Sequence, residues 1–127
     1  MTFKFSKRSL DNLVGVHKDL IRVANRALSI SKIDFVITSG VRTIEEQKKL
    51  VASGASRTMR SRHLTGHAID VAALNKGKVT WDGKYYTPIA EAMKQAAKDL
   101  GVHIKWGGDW ESFKDMPHFE LDREFYP

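Results

Sequence analysis

The sequence predicts an α+β domain in which about three helices flank a small, mostly antiparallel sheet. One observation behind this prediction is a helical period of three to four residues among the apolar positions; another is a series of short apolar runs that suit strands. Turn-forming residues between these segments would connect them. A length of 127 residues with 42% hydrophobic content predicts one domain, residues 1–127, around a single core.

The N-terminal elements are predicted from periodicity and capping residues. Apolar residues recur every three or four positions from Leu10 to Leu28, which predicts an amphipathic helix. Segment 34–41, DFVITSGV, is predicted to form a strand. Thr43 and Glu46 fit a capping box, so a second helix is expected to begin there and to end near Gly54.

The rest of the chain is predicted to alternate strands with one more helix. Segment 68–74, AIDVAAL, is short and apolar, as in a buried strand. Pro88 suits the first turn of a third helix and Gly101 suits its stop. The predicted order is a strand (68–74), a turn (75–78), a short hairpin arm (78–86), a helix (87–100) and two last strands (102–106 and 117–121).

Cysteine usage and hydropathy narrow the class of protein. The chain has no cysteine, so disulfides and thiolate metal sites are excluded, and a metal would be held by nitrogen and oxygen. The first ten residues lack the apolar centre of a signal peptide, and no run approaches the ~18 apolar residues of a membrane helix. We therefore expect no signal peptide and no membrane insertion.

The charge balance points to an anionic partner. Lys and Arg number 21 against 15 Asp and Glu, a formal net charge of +6. An anionic surface is a plausible partner for such a chain. Part of the excess charge lies at Arg57, Arg60 and Arg62, but no helix-turn-helix or aromatic-interleaved basic run accompanies it, so nucleic acid is not the expected partner. The alternative is a solvated basic face that aids solubility.

Two segments, SRHLTGHAID (61–70) and DMPHFEL (115–121), carry the residues of a predicted catalytic zinc site. His63 and His118 offer imidazole nitrogens, and Asp70 offers a carboxylate. Three protein ligands leave a fourth tetrahedral position for water, as a catalytic zinc requires. Asp115, three residues before His118, is predicted to accept the proton of that water.

A rival metal pattern lies in the same segment. His63 and His67 have the spacing of the helical His-Glu-x-x-His metalloproteases, but position 64 is Leu, so the base of that pattern is missing. Gly66 also weakens a helix there. We therefore leave His67, together with His17 and His103, outside the predicted site.

Strand alternation predicts how segment 117–121 presents its histidine. In a strand, His118 and Glu120 would share one face, while Phe119 and Leu121 would point to the other face and into the core. His118 would thus face a cavity, and its neighbours would anchor the strand.

These residues resemble the D-alanyl-D-alanine carboxypeptidase family of zinc peptidases. The resemblance implies the fold of the hedgehog and D-alanyl-D-alanine peptidase type. Its signature Ser-x-His-x-x-Gly-x-Ala-x-Asp is matched by Ser61, His63, Gly66, Ala68 and Asp70. The acidic residue, x, x, His element of the family is matched by Asp115 and His118, although many members carry Glu at the position of Asp115. The WGGDW segment (106–110) is similar to the one that usually precedes this element. The branch that looks closest is that of the phage endolysins that act as L-alanyl-D-glutamate peptidases.

The resemblance implies one Zn²⁺ per chain, with His63, Asp70 and His118 as ligands and Asp115 as general acid and base. Gly40-Val41-Arg42 is similar to a family Gly-x-Arg, which implies that Arg42 binds a substrate carboxylate or polarises the scissile carbonyl; the alternative is a surface arginine at a helix start. Candidate substrate contacts are Ser61, Gln47 and Trp106, with Trp110 as a second cleft candidate and Asp109 as a partner for a ligand imidazole.

The implied substrate is the murein stem peptide, cut at its L-alanyl-D-glutamate bond to lyse the host cell. The resemblance further implies that the protein is made in the host cytoplasm and reaches the periplasm or cell wall after holin-dependent release. It would act there as a monomer, without a separate wall-binding domain. Three alternatives stay open: a D-alanyl-D-alanine carboxypeptidase, an inactive zinc-containing binding module, and a basic nucleic-acid-binding protein without metal.

Overall fold

A computed structural model describes residues 3–56, 58–111 and 114–127 of the chain. Four helices and five strands follow one another along it, with short 3₁₀ turns at Arg62–Thr65, Gly83–Tyr85 and Gly107–Asp109. The helices are α1 (Lys7–Asn12), α2 (Lys18–Ile30), α3 (Ile44–Ala52) and α4 (Tyr86–Leu100). The strands are β1 (Phe35–Ser39), β2 (Ala68–Asn75), β3 (Lys78–Thr80), β4 (Ile104–Trp106) and β5 (His118–Leu121).

All pairings in the sheet are antiparallel, which confirms the predicted α+β class. The strand order is β1-β2-β5-β4, and β3 pairs with the C-terminal end of β2. Strand β2 is therefore central, because β1, β3 and β5 all pair with it. Its register places Asp70 opposite His118 of β5 and Ser39 of β1.

The predicted helix over 10–28 is wrong in its continuity, because the structure has two helices there. Gly15 lies between α1 and α2 with φ of 86°, a conformation that ends a right-handed helix. The backbone N–H of His17 donates to the carbonyl of Gly66 at 2.8 Å, so this break also contacts the later loop that carries His63. His17 itself caps α2: its Nδ1 accepts from the backbone N–H of Asp19 at 3.0 Å.

The other predicted helices are confirmed with small shifts of their bounds. Helix α3 starts at the predicted capping box, in which Thr43 and Glu46 each accept the other's backbone N–H. Helix α4 begins at Tyr86 and stops at Gly101, which is left-handed with φ of 69°. Within the described ranges no helix combines the length and apolarity that a bilayer crossing demands.

The predicted turn and hairpin arm after β2 are confirmed, although strand β3 is short. Lys76 and Gly77 have φ of 53° and 81°, the positive values that a tight two-residue hairpin turn requires. The arm forms a strand only over Lys78–Thr80, and a 3₁₀ turn then leads into α4.

The core lies between the sheet and the helix pair α2 and α4. Ile69, Val71 and Phe119 are completely buried there. Because strand residues alternate between faces, burial of these three leaves Asp70 and His118 on the opposite face. Packing of the core thus fixes which side of the sheet carries the functional side chains.

Candidate metal centre and active-site cleft

His63, Asp70 and His118 lie together in the structure, with one potential ligand atom of each within 4.8 Å of the others. Asp70 and His118 are cross-strand partners in β2 and β5. His63 comes from the 3₁₀ turn before β2, which is capped by Ser61: its Oγ accepts the backbone N–H of His63 at 3.2 Å. The turn ends at Gly66 in a left-handed conformation and directs the chain into β2. The three residues are thus brought together by adjacent elements.

The imidazole of His63 is fixed by a backbone carbonyl. Its Nδ1 lies 2.7 Å from the carbonyl oxygen of Gly40, and because a carbonyl only accepts, Nδ1 carries the proton. The Nε2 atom lies 3.2 Å from Asp70 Oδ1. In the neutral ring, this Nε2 carries a lone pair. The side chain of His63 is 1% exposed, so it is held inside the protein.

The imidazole of His118 is fixed in the same manner by a carboxylate. Its Nε2 donates to Glu120 Oε1 at 2.8 Å, which leaves Nδ1 facing Asp70 Oδ1 at 3.0 Å. Glu120 is the neighbour that strand alternation placed on the same face. The expectation that Asp109 would orient a ligand imidazole is wrong, because its carboxylate accepts from Lys94 at 2.7 Å.

This arrangement fits a metal cation. With the outer nitrogen of each ring committed as a donor, two imidazole lone pairs and one carboxylate oxygen converge on one point. Such lone pairs repel each other unless a proton or a metal cation lies among them. Two nitrogens and one oxygen are a donor set that suits zinc, among other first-row metals.

The electrostatics of the cluster also favour a positive charge between His63, Asp70 and His118. Burial would raise the pKa of Asp70, but its hydrogen bonds with His118 and His63 outweigh burial and hold that pKa well below the usual range. Burial opposes protonation of His118, yet hydrogen bonds with Asp70 and Glu120 raise its pKa to about 9.

Arg42 holds the second oxygen of Asp70. Its Nη2 donates to Asp70 Oδ2 at 2.7 Å, its Nη1 donates to Gln47 Oε1 at 3.2 Å and its Nε donates to Ser39 Oγ at 3.3 Å. The guanidinium still lines the cleft. Arg42 therefore faces the site, but three of its donors are engaged within the protein.

Gln47 lies behind Arg42 rather than in the cleft wall. Its side chain is fully buried, and its amide donates to Ser56 Oγ at 2.8 Å and to the Thr58 carbonyl at 2.6 Å. Gln47 thus links α3 to Ser56 and to Thr58, and the geometry makes it a support for the cleft rather than a substrate contact.

A cleft of about 550 Å³ opens over the cluster. It is lined by both imidazoles and by Asp70, and also by Ser61 and Asp115. Burial, together with the nearby Asp70 carboxylate, raises the pKa of Asp115. The backbone N–H of Asp115 donates to the Gly107 carbonyl at 3.0 Å, which brings the 107–109 turn and the acid together.

Both tryptophans of the WGGDW segment were candidates for the cleft, and the structure places one of them there. Trp106 is 9% exposed, stacks on Phe119 and donates from Nε1 to the Met116 carbonyl at 2.7 Å, so its predicted place in the cleft is wrong. Trp110 lines the cleft, with its ring centroid 5.1 Å from that of His118. Trp106 belongs to strand β4 and to the core, whereas the 3₁₀ turn after it turns Trp110 toward the site.

The basic cluster predicted before the ligand loop is partly described. Arg57 lies outside the described residues, while Arg60 and Arg62 line the cleft. Arg123, which the sequence did not single out, lines the same wall. Burial and the charge of Arg123 lower the pKa of Arg62.

Besides Arg123, Glu120 and Gly40 contribute to the site in ways that the sequence did not predict. Glu120 was predicted to share a strand face with His118, but not to accept from its imidazole. Gly40 contributes through a backbone carbonyl, for which the residue type gives no signal. His67 is excluded from the cluster, since its Nδ1 lies 2.6 Å from Thr65 Oγ1.

Comparisons with known proteins show which family the chain belongs to. The family model described as phage L-alanyl-D-glutamate peptidase matches residues 1–127. The L-alanyl-D-glutamate peptidase of Escherichia phage T5 is 38% identical over an alignment of 130 residues that covers 99% of this chain and 94% of that protein. The L-alanyl-D-glutamate peptidase of Listeria phage A118 is 37% identical over an alignment of 129 residues that covers 99% of this chain, but the chain spans only 45% of its length.

A solved structure shares the whole fold. The crystal structure of the L-Ala D-Glu endopeptidase ChiX of Serratia marcescens superposes with a TM-score of 0.93 at 46% identity, over 99% of this chain and 95% of that one. The fold and the site thus define the class of the protein, an α+β peptidase domain. Within that class, the chain belongs to the phage L-alanyl-D-glutamate peptidase family.

Proposed function

We propose that the protein is a zinc-dependent peptidoglycan hydrolase that cuts the L-alanyl-D-glutamate bond of murein stem peptides. Its relatives carry that activity in their names, and the family match spans the chain. The single observation that supports the chemistry best is the convergence of His63, Asp70 and His118, with the outer nitrogen of each imidazole engaged by a fixed acceptor. These three residues would hold one Zn²⁺ per chain.

The metal, when bound, would supply a Lewis acid that activates water and polarises the scissile carbonyl. Asp115 lines the cleft beside the cluster and is half-buried, which suits a carboxylate that must exchange a proton. In the proposed reaction Asp115 accepts a proton from the attacking water and then donates it to the nitrogen of the departing D-glutamate. The raised pKa of Asp115 helps it to hold that proton between the two transfers.

Arg42 and Ser61 are proposed to contact the substrate. A guanidinium has five N–H donors, and Arg42 uses three within the protein, so its remaining donors can meet the carbonyl oxygen of the scissile bond. Ser61 Oγ accepts from the His63 backbone, which leaves its hydroxyl hydrogen for a substrate acceptor. We infer that each residue has two roles: Arg42 orients Asp70 and Ser61 orients His63, and both also contact the substrate.

The setting of the reaction follows from the family. A relative from Bacillus subtilis is named a peptidoglycan L-alanyl-D-glutamate endopeptidase, which supports the cell wall as the place where this chain meets its substrate. We propose that residues 1–127 act as a single catalytic domain and as a monomer, which is made in the host cytoplasm and reaches the wall after holin-dependent release. The net charge of +6 would favour binding to the anionic wall surface.

Digestion of purified peptidoglycan tests the proposal. The protein is incubated with murein alone, with a chelator, and with a chelator followed by zinc, and the new termini are identified by mass spectrometry. We expect new N-terminal D-glutamate and new C-terminal L-alanine, lost with the chelator and regained with zinc. Release of D-alanine alone would show a D-alanyl-D-alanine carboxypeptidase instead, and no cleavage with one zinc bound per chain would show an inactive binding module.

A further inference from the structure

Three arginines line the cleft without forming an ion pair with any acidic side chain that the structure describes. Arg60, Arg62 and Arg123 line the cleft, and we refer to them as the arginine wall. Among the ion pairs of the described residues, none includes a member of this wall. Arg42, in contrast, is paired with Asp70 at 2.7 Å. The wall is therefore the part of the cleft that is free to meet an anion.

Arg62 is the most buried member of the wall. It is half-buried, and one of its Nη atoms donates to the carbonyl of Tyr126 near the end of the described chain. Its Nε is buried without a hydrogen-bond partner, which is a costly arrangement for a charged group. An acceptor beside this guanidinium would offset part of that cost.

Arg123 lies beside Arg60 on the outer part of the wall. Its side chain is exposed, and its contact with the Arg60 carbonyl is long, at 3.4 Å. Like charges placed close together repel each other, and a bound anion relieves that repulsion. Glu120 also lines the cleft and its charge favours the charged form of Arg62, but it forms no ion pair with the wall, and its Oε1 accepts from His118 Nε2 at 2.8 Å.

The arginine wall adjoins the reaction centre through the chain itself. Arg62 directly precedes the ligand His63 in the 3₁₀ turn, and Arg123 lies two residues beyond the end of β5, which carries His118. Because the wall and the metal cluster line the same cleft, a substrate bound at the cluster can also reach the wall.

The proposed substrate offers an anion at that place. The residue that leaves with a new amino group is a glutamate, which has two carboxyl groups, and a linear peptide continues through one of them. One carboxylate thus stays free on the departing residue. We propose that the arginine wall binds a free carboxylate of the substrate on the departing side of the scissile bond, and so selects acidic over amidated peptides. This inference rests on the proposed function.

Kinetics with matched peptides test the role of the wall. The first peptide is acetyl-L-alanyl-γ-D-glutamyl-L-lysinamide, which has only the glutamate carboxylate. The second is its carboxamide counterpart, which has none, and the third restores a single carboxylate at a C-terminal lysine. The measured quantity is kcat/KM for the unaltered protein and for Arg123→Gln, Arg123→Lys and Arg62→Gln.

We expect Arg123→Gln to lower kcat/KM about tenfold on the first peptide and to leave the second nearly unchanged, because only the first peptide loses a charge-assisted hydrogen bond. Arg123→Lys should recover part of the loss. A loss of kcat/KM on the third peptide alone would still support carboxylate binding by the wall, but the bound carboxylate would then be that of the lysine after the glutamate. Arg62→Gln provides a second test of the wall, provided that its thermal unfolding midpoint is unchanged. Because Arg123 is exposed, its substitution should not affect folding, and the test does not depend on Arg62→Gln.

The control variant is Lys98→Gln, which removes one positive charge from the exposed face of α4, outside the cleft. It should leave the ratio of kcat/KM between the first two peptides unchanged. Equal losses by Arg123→Gln on all three peptides would overturn the role of the wall while leaving the proposed activity standing. If the unaltered protein with zinc cuts none of the three, the proposed function itself fails, and the role of the wall falls with it.

Discussion

At the scale of residues, the chemistry of the site depends on which nitrogen of each imidazole carries a proton. Gly40 takes the Nδ1 proton of His63, and Glu120 takes the Nε2 proton of His118. The two histidines therefore present different nitrogens to the same point. These outer contacts are as much a part of the proposed metal centre as the three ligands.

Loss of the Glu120 carboxylate should weaken metal binding. In Glu120→Ala, the His118 ring loses the acceptor that fixes its tautomer, and we expect zinc affinity to fall about tenfold to a hundredfold. Competition with a chromophoric chelator measures the affinity. Glu120→Gln keeps an acceptor oxygen and should lose less, and Glu124→Ala, an exposed neighbour, serves as the control. Unchanged affinity in Glu120→Ala would show that the contact does not matter.

Asp115 should be needed for turnover but not for the metal. Asp115→Asn keeps the size of the side chain and removes its ability to accept a proton, so kcat should fall by about 10² to 10⁴. Zinc content, measured by elemental analysis, should stay at one per chain. Asp109→Asn, whose parent carboxylate pairs with Lys94, is the matched control. Ordinary turnover by Asp115→Asn would remove Asp115 from the mechanism.

At the scale of elements, features that depend on local sequence were predictable, whereas features that depend on contacts between distant segments were not. The capping box of α3 and the alternation of β5 are local patterns, and both were predicted correctly. The break between α1 and α2 depends on Gly15 and on the contact of His17 with Gly66, which apolar periodicity does not reveal. The position of Trp106 in the core and of Trp110 in the cleft depends on where β4 ends and its 3₁₀ turn begins, and sequence patterns fix such boundaries least well.

Helix α3 should stabilise the cleft wall through Gln47. Gln47→Ala leaves the Thr58 carbonyl and an Arg42 donor without their partner and opens a small cavity, so we expect a loss of about 2–3 kcal/mol in the free energy of unfolding. Urea denaturation measures it. Lys48→Ala, on the exposed side of the same helix, should change stability by less than about 0.5 kcal/mol. Similar effects of both changes would argue against a buried network.

At the scale of the whole molecule, the proposed metal would join three separate parts of the chain. His63 lies in a 3₁₀ turn, Asp70 in the central strand β2 and His118 in β5 near the other end of the sequence. The spacing of the ligands was readable from the sequence because it follows a known pattern. The backbone carbonyl of Gly40 and the position of Arg123 beside Arg60 were not, because they arise only when the sheet and its loops assemble.

Zinc should therefore stabilise the whole fold. A ligand that binds the folded state at a concentration of 100 times its Kd contributes about 2.7 kcal/mol, so zinc should raise the thermal midpoint and a chelator should lower it. Scanning calorimetry of the metal-free and zinc-loaded protein measures the shift. His118→Ala should abolish the shift, and His103→Ala, which alters an exposed histidine, should keep it. A shift that survives His118→Ala would place the metal elsewhere.

A titration of the metal-free protein with zinc, with bound zinc and peptide cleavage recorded together, bears on all of these proposals. The substrate is acetyl-L-alanyl-γ-D-glutamyl-L-lysinamide, and the product is identified by its new D-glutamyl amino terminus. We expect the rate to rise in proportion to bound zinc and to level off at one zinc per chain. Full cleavage before any zinc is added, or no cleavage at one bound zinc, would contradict a zinc peptidase built on His63, Asp70 and His118.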